Sequence, residues 1–351
     1  MITDYTWIDD NSQLEDLILT IKGDEALAFD SEFERISTFY PKPALFQLKI
    51  DGEYYLIDMK NISNHTPLTK LLNNIILHSG SEDLEILYNL NGQLPDFIFD
   101  TQIAASLCGY GLHFSYQNIV KELFDVELSK AHSRSDWMKR PLSSEQIEYA
   151  IDDVVYLTEM KQILEDELNK QGRMGWYEFL INQRKEAIVG SNHIAKTFVS
   201  ICKSKRFKVP QQKLVLALLK WREEVAIARD KPRTWILKNA EIIDIVIKKP
   251  QTEGAYIKDI GLYAKFVKHN LRALLSLYQK AESMAEVLLP KFDKLSPEQG
   301  DIFNAMKQEL ANKCDSLNIP ASLVINVSDL KSLVAAGKTL DDIKMWRLIN
   351  Q

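Results

Sequence analysis

Ala26-Leu27-Ala28-Phe29-Asp30-Ser31-Glu32-Phe33 is the stretch on which the reading of this chain turns. Its first four residues form a short apolar run, as a buried strand requires, and two acids follow at once. Residues two apart on a strand point to the same face, so Asp30 and Glu32 project together, roughly 7 Å apart along the strand. Two carboxylates side by side at the end of a buried strand repel each other unless a cation sits between them. Hard oxygen ligands of this kind suit Mg²⁺ or Mn²⁺. A D-x-E pair alone also describes a solvated strand end, so its meaning depends on what the rest of the chain supplies.

Outward from that stretch, the first half reads as α/β. Leu45 to Ile50 alternates apolar and polar residues, and Tyr54 to Ile57 follows the turn signal Asp51-Gly52. Ile75-Ile76-Leu77-His78 is a further strand-like run, ended by Ser79-Gly80. A helix is expected from about Glu82 to Leu90, with Ser79 and Glu82 spaced as a capping box. Helical patterns then run from Thr101 to Cys108, Ser115 to Phe124, and Ser144 to about Lys170. From 171 onward the chain reads as almost entirely helical, with breaks at Pro210, Pro250, Pro290, Pro297 and Pro320. Strands first and helices afterwards imply separate domains.

Further acids fall at places that matter. Asp83 stands just after a strand, where it can be a ligand at a strand-to-helix turn or an acid favoured by the helix dipole. Tyr149 and Asp153 are four apart on a helix and share a face. A tyrosine hydroxyl beside a metal-bound carboxylate can orient an attacking water. Asp100, in Phe99-Asp100-Thr101, reads as a helix N-cap and is left out of the site.

The order D-x-E, then Asp after a strand, then Y-x-x-x-D on a helix resembles the DEDD superfamily of 3′→5′ exonucleases, tyrosine subclass, and within it the ribonuclease D family. Supporting segments are Tyr40-Pro41, Leu45-Phe46-Gln47-Leu48, His78 to Leu84, Asp100-Thr101-Gln102, Ser133 to Trp137 and Arg140-Pro141-Leu142. The histidine subclass needs His five residues before the last Asp, and that position is Glu148. The resemblance implies a ribonuclease H-like α/β exonuclease domain over 1–170. It implies two divalent ions, Mg²⁺ or Mn²⁺, held by Asp30, Glu32, Asp83 and Asp153, with Tyr149 positioning the water. The product implied is a 5′-nucleotide, released one at a time from an RNA with a free 3′ end. The substrates implied are transfer-RNA precursors and other small structured RNAs. Phe33 either stacks on the terminal nucleotide or fills the core. Arg134 and Trp137 are candidates for RNA contact, with packing as the alternative for Trp137.

The second half resembles the ribonuclease D layout as well. Residues 171–210 read as a helical linker. Residues 211–285 look like an HRDC domain, marked by Leu219-Lys220-Trp221-Arg222, Ala226, Arg229-Asp230 and Trp235-Ile236-Leu237. Residues 286–351 fit a second, diverged HRDC-like helical domain.

Bulk properties agree with this. A chain of 351 residues exceeds one ordinary core. The net charge of −6 hides a polarised molecule. Residues 1–170 hold 30 acidic against 13 basic side chains, and residues 171–280 hold 9 against 22. A basic middle segment is a footprint of phosphate binding, or else a set of solvated helix faces. Three scattered cysteines, Cys108, Cys202 and Cys314, and the absence of a long apolar run fit a cytoplasmic protein that does not enter a membrane. The family default is a monomer. Two rivals remain at this stage: a DNA-directed exonuclease of the same superfamily, and an inactive nucleic-acid-binding module.

Overall fold

Strand β2, Leu27–Glu34, lies inside a six-stranded sheet with β1 (Thr6–Ile8), β3 (Lys42–Ile50), β4 (Glu53–Asp58), β5 (Asn74–Leu77) and β6 (Phe97–Asp100). The structure is a computed structural model that describes residues 4–21, 26–129, 135–190, 193–285 and 295–351. The strand order is β1-β4-β3-β2-β5-β6. β2, β3 and β4 run antiparallel, whereas β5 pairs parallel with β2, β6 with β5, and β1 with β4. Asp51 and Gly52 have φ of 51° and 87°, the left-handed pair that a tight two-residue hairpin needs.

The two faces of the sheet divide the labour. Phe29 and Phe46 meet edge to face at 5.2 Å and belong to the main core. The opposite face carries Asp30 across from Gln47, and Gln47 across from Leu56. On this face Leu45 and Leu56 pack with Trp137, Ala150 and Ile151.

Helices in the first unit are α1 (Asn11–Thr20), α2 (Thr66–Leu71), α3 (Ser81–Asn91), α4 (Thr101–Leu107), α5 (Tyr116–Phe124), α6 (Ser144–Val155), α7 (Leu157–Lys170) and α8 (Met174–Val189). Ser143 starts α6 through a capping box with Gln146. The single helix expected from Ser144 to Lys170 is two, broken at Tyr156, whose N–H donates to the Tyr116 hydroxyl at 3.2 Å. The capping box expected at Ser79 does not form. Gly80 is the N-cap of α3 without a side-chain cap bond, and Ser79 adopts a φ of 62° with its N–H donating to Asp100.

The chain divides into two compact units: residues 1–34, 41–190 and 295–351, and residues 35–40 with 191–294. The grouping differs from the division expected at 170 and 286. α8 stays with the first unit, where the Tyr177 hydroxyl accepts from the Asp100 N–H at 2.7 Å. So do α15 (Pro297–Ser316), α16 (Val327–Ala335) and α17 (Lys344–Ile349), whose Leu310, Cys314, Val334 and Trp346 join the main core. Arg173 donates to the Leu317 carbonyl at 2.6 Å.

The regular elements of the second unit's described residues are helices: α9 (His193–Lys205), α10 (Val209–Arg229), α11 (Arg233–Ile236), α12 (Asn239–Lys248), α13 (Glu253–Ala255) with a π turn to Ile260, and α14 (Ala264–Ser283). Its core gathers Phe39, Leu218, Trp221, Ile242, Tyr256 and Leu274. Pro210 and Pro297 stand in the first turns of α10 and α15, where a missing N–H costs nothing. Pro290 lies outside the described residues. No described helix is long and apolar enough to cross a membrane.

Candidate active site

Three of the expected carboxylates converge. Carboxylate oxygens of Asp30, Glu32 and Asp153 all lie within 4.8 Å of one another. Asp30 and Glu32 come from β2 and Asp153 from α6, which packs across β2 and β3. The pairing of β2 with β3 shifts register between Glu32 and Phe33, so the strand is irregular right beside the acids.

Asp83, in the first turn of α3, comes close in a different way. Its Oδ1 accepts from the Ser31 hydroxyl at 2.5 Å, which ties α3 to β2 between the two acids of the D-x-E pair. It is near enough to raise the pKa of both Asp30 and Glu32. Tyr149 stands one turn before Asp153, and its hydroxyl is hydrogen-bonded to that carboxylate.

The electrostatics of the cluster favour protons or cations among its acids. Burial, then Asp83, Asp153 and Glu32, push Asp30 well above the usual carboxylate range. Burial followed by Asp153 and Asp83 lifts Glu32 to about 9. Burial raises Asp153 to about 7 even though the Tyr149 hydroxyl opposes the shift. Burial raises Asp83 to about 6 against the Ser31 hydrogen bond. Each of these side-chain charge effects comes from a neighbouring acid. An all-oxygen, acid-only donor set fits a hard divalent cation.

The supports of α6 explain why Asp153 is held in place. A helix end leaves carbonyls without intrahelical partners. Here the Tyr116 hydroxyl donates to the Asp152 carbonyl at 3.0 Å, and Lys49 Nζ donates to the Val155 carbonyl at 2.6 Å. Lys49 also pairs with Glu159 and places a cation at the negative end of the helix.

Of the remaining expected residues, Phe33 is half-buried and packs against the main core. Trp137 is only 4% exposed, with its ring 5.9 Å from that of Tyr149. Its loop is pinned by Arg140, which grips Asp58 through two 2.7 Å hydrogen bonds and also donates to the Trp137 carbonyl. Arg134 lies outside the described residues. Asp100 caps α4 by accepting from the Gln102 and Ile103 N–H groups and pairs with Arg184, as an N-cap and not a site acid.

One polar residue of the site's face escaped the sequence reading. Gln47 is fully buried, stands directly across from Asp30, and neither its amide oxygen nor its nitrogen has a hydrogen-bond partner among the described residues. The signal was there: a glutamine at an inward position of an alternating strand.

Residues 5–169 match the 3′–5′ exonuclease family, and residues 211–278 match the HRDC domain family. A ribonuclease D from Sphingobium indicum is 31% identical over 97% of this chain and 90% of its own length. A ribonuclease D from Haemophilus influenzae is 30% identical over 97% of this chain and 84% of its own. The crystal structure of Escherichia coli ribonuclease D, described as an exoribonuclease involved in structured RNA processing, superposes with a TM-score of 0.85. It is 28% identical, covering 95% of this chain and 91% of that one. The fold, the acidic cluster and these likenesses agree: the chain belongs to the ribonuclease D family and is a 3′→5′ exoribonuclease.

Proposed function

We propose that Asp30, Glu32, Asp83 and Asp153 would hold two divalent cations, Mg²⁺ or Mn²⁺, and that Tyr149 positions the attacking water. The observation that carries this reading is the convergence of Asp30, Glu32 and Asp153 within 4.8 Å, from a strand and a helix far apart in sequence. When bound, such ions lower the pKa of a water and neutralise charge on the leaving oxygen. The protein's own contribution is geometric. Tyr149 commits its proton to Asp153, which leaves the phenolic oxygen able to accept from a water at the edge of the cluster. Trp137 holds the Tyr149 ring from behind, and we assign it that supporting role instead of RNA contact. Ser31 fixes Asp83, and Tyr116 with Lys49 fixes the end of α6.

The substrate we infer is RNA with a free 3′ end, shortened by one 5′-nucleotide at a time, and the 3′ trailers of transfer-RNA precursors are the substrates we favour. The description of the Escherichia coli relative supports structured RNA. We take residues 211–285 as an HRDC domain and 286–351 as a diverged helical copy that contributes its apolar face to the first unit. A monomeric, cytoplasmic enzyme completes this reading. The test is degradation of a 3′-overhanging RNA with Mg²⁺ or Mn²⁺, with and without chelator, beside a matched DNA. Stepwise shortening of RNA that stops with chelator supports it. Shortening unaffected by chelator overturns the metal assignment, and faster loss of the DNA overturns the substrate.

A further inference from the structure

The second unit carries a cleft of about 420 Å³ that the exonuclease chemistry does not use. It is lined by Arg229, Tyr263, Lys265, Phe266, His269 and Asn270, with no Asp or Glu among the described lining residues. Arg229 ends α10, and the other five come from the start of α14 and its N-cap, Tyr263. The floor is fixed by packing. Asn270, 5% exposed, accepts from Arg229 at 3.1 Å and donates to the Phe266 carbonyl at 2.7 Å. The Phe266 ring meets Trp221 edge to face at 6.4 Å. Lys265, Lys268, His269 and Arg272 are exposed and recur at spacings of three and four, so they form one row along the outside of α14. That row spans about 10 Å of helix. Residues 260–281 contain no acid at all. Among the described residues none of Lys265, Lys268 and Arg272 pairs with a carboxylate, whereas in the same unit Arg233 pairs with Glu223 and Lys248 with Asp244. Asp230, next to Arg229 in the chain, has its Oδ1 engaged by the Phe39 and Tyr40 N–H groups.

A row of cations without carboxylate partners attracts an anion, and Tyr263 says which kind. It is 86% exposed, an open aromatic face at the end of the row. The apolar positions Val267, Leu274 and Leu277 of α14 are buried in the core of the second unit, so the helix keeps no apolar face for a lipid surface. What it turns outward is a ring for stacking beside charges for phosphates, the combination that holds unpaired bases. A duplex keeps its bases stacked inside and leaves the ring nothing to meet. We propose that this face binds single-stranded RNA, with phosphates on Lys265, Lys268 and Arg272 and a base against Tyr263. The proposal deepens the reading of RNA as the substrate and rests on it.

The experiment uses the full chain in chelator, where metal-dependent hydrolysis is stopped, and follows binding of a labelled oligouridylate by fluorescence anisotropy. Tyr263→Ala is expected to weaken binding about 5- to 100-fold, the range for one lost stacking contact, with Tyr263→Phe restoring most of it. Lys265→Ala and Arg272→Ala are each expected to make the fall of log affinity with log salt shallower by about 0.7, one phosphate contact on a single strand. Lys307→Ala, which removes an exposed charge from α15, is expected to leave that slope alone. A purely structural role for the α14 cations would change the affinity without changing the slope. Arg229 is left in place because its bond to the buried Asn270 gives it a share in packing. The same oligouridylate paired with oligoadenylate, and polyglutamate, are titrated as competitors. Weak competition by both, together with the Tyr263 and slope effects, supports the proposal. If either competes as well as the single strand and Tyr263→Ala binds like wild type, the face is a general anion surface and the proposal is overturned. Folded Tyr263→Ala, Lys265→Ala and Arg272→Ala chains that bind RNA like wild type, with unchanged slopes, overturn it as well. Hydrolysis of short RNA by the wild-type chain in Mg²⁺ is measured separately, so loss of the enzyme reading and loss of this face give different results.

Discussion

Replacing Asp30 by Asn removes one negative charge and almost no volume. Asp30 interacts with each of the other three acids, so its loss is expected to lower kcat on the order of 10⁴-fold with the fold intact. Single-turnover hydrolysis together with the unfolding midpoint checks this, and near-normal turnover would remove Asp30 from the site. Gln47→Leu reads differently on the two axes. Removing a buried amide that has no partner among the described residues should stabilise the chain by about 1–3 kcal/mol. The same change is expected to lower kcat, since Gln47 lies directly across from Asp30. An unchanged or lower midpoint would mean that a water satisfies the amide. The pH dependence has a definite sign. Folded-state values of about 6 for Asp83, about 7 for Asp153 and about 9 for Glu32 exceed an unfolded carboxylate's value of about 4. The folded chain then binds more protons than the unfolded one. Without metal, the contribution of these groups to stability is fully present below about pH 4 and is lost as the pH rises towards about 9. Mn²⁺ should therefore raise the unfolding midpoint more at about pH 8 than at about pH 5. Equal shifts at both values would count against metal binding by these acids.

At the scale of elements, the site depends on how α6 is fastened. Tyr116→Phe removes the hydroxyl that meets the Asp152 carbonyl and the Tyr156 N–H. It is expected to cost about 1 kcal/mol and to reduce kcat with little effect on KM, because Asp153 loses its anchor and the RNA contacts do not. A rise in KM alone would contradict that role. Arg140→Met leaves Asp58, 2% exposed, without its guanidinium partner, and should cost about 3–5 kcal/mol. The loop carrying Trp137 is then released from the sheet.

At the scale of the molecule, the helices after residue 295 decide which truncations are informative. Leu310, Cys314, Val334 and Trp346 belong to the same core as the sheet. A chain ending at 294 should unfold at a clearly lower temperature and lose exonuclease activity, as measured by calorimetry and RNA shortening. Retention of both would mean that the terminal helices are dispensable to the first unit.

Much of this was legible in the residues themselves. The alternation of Leu45 to Ile50, the Asp51-Gly52 turn, the D-x-E on a buried strand and the Tyr149/Asp153 spacing rest on backbone periods of 2 and 3.6, which local sequence carries. The family's motif order then linked acids more than a hundred residues apart. Tertiary structure decided what periodicity cannot encode. An apolar helix face states that it will be covered, not by what, so the fate of residues 295–351 was open until the packing was seen. The break at Tyr156 was hidden because apolar spacing continues through it. Gln47 looks ordinary in the chain, and its lack of a partner among the described residues exists only as a relation among residues that folding brings together.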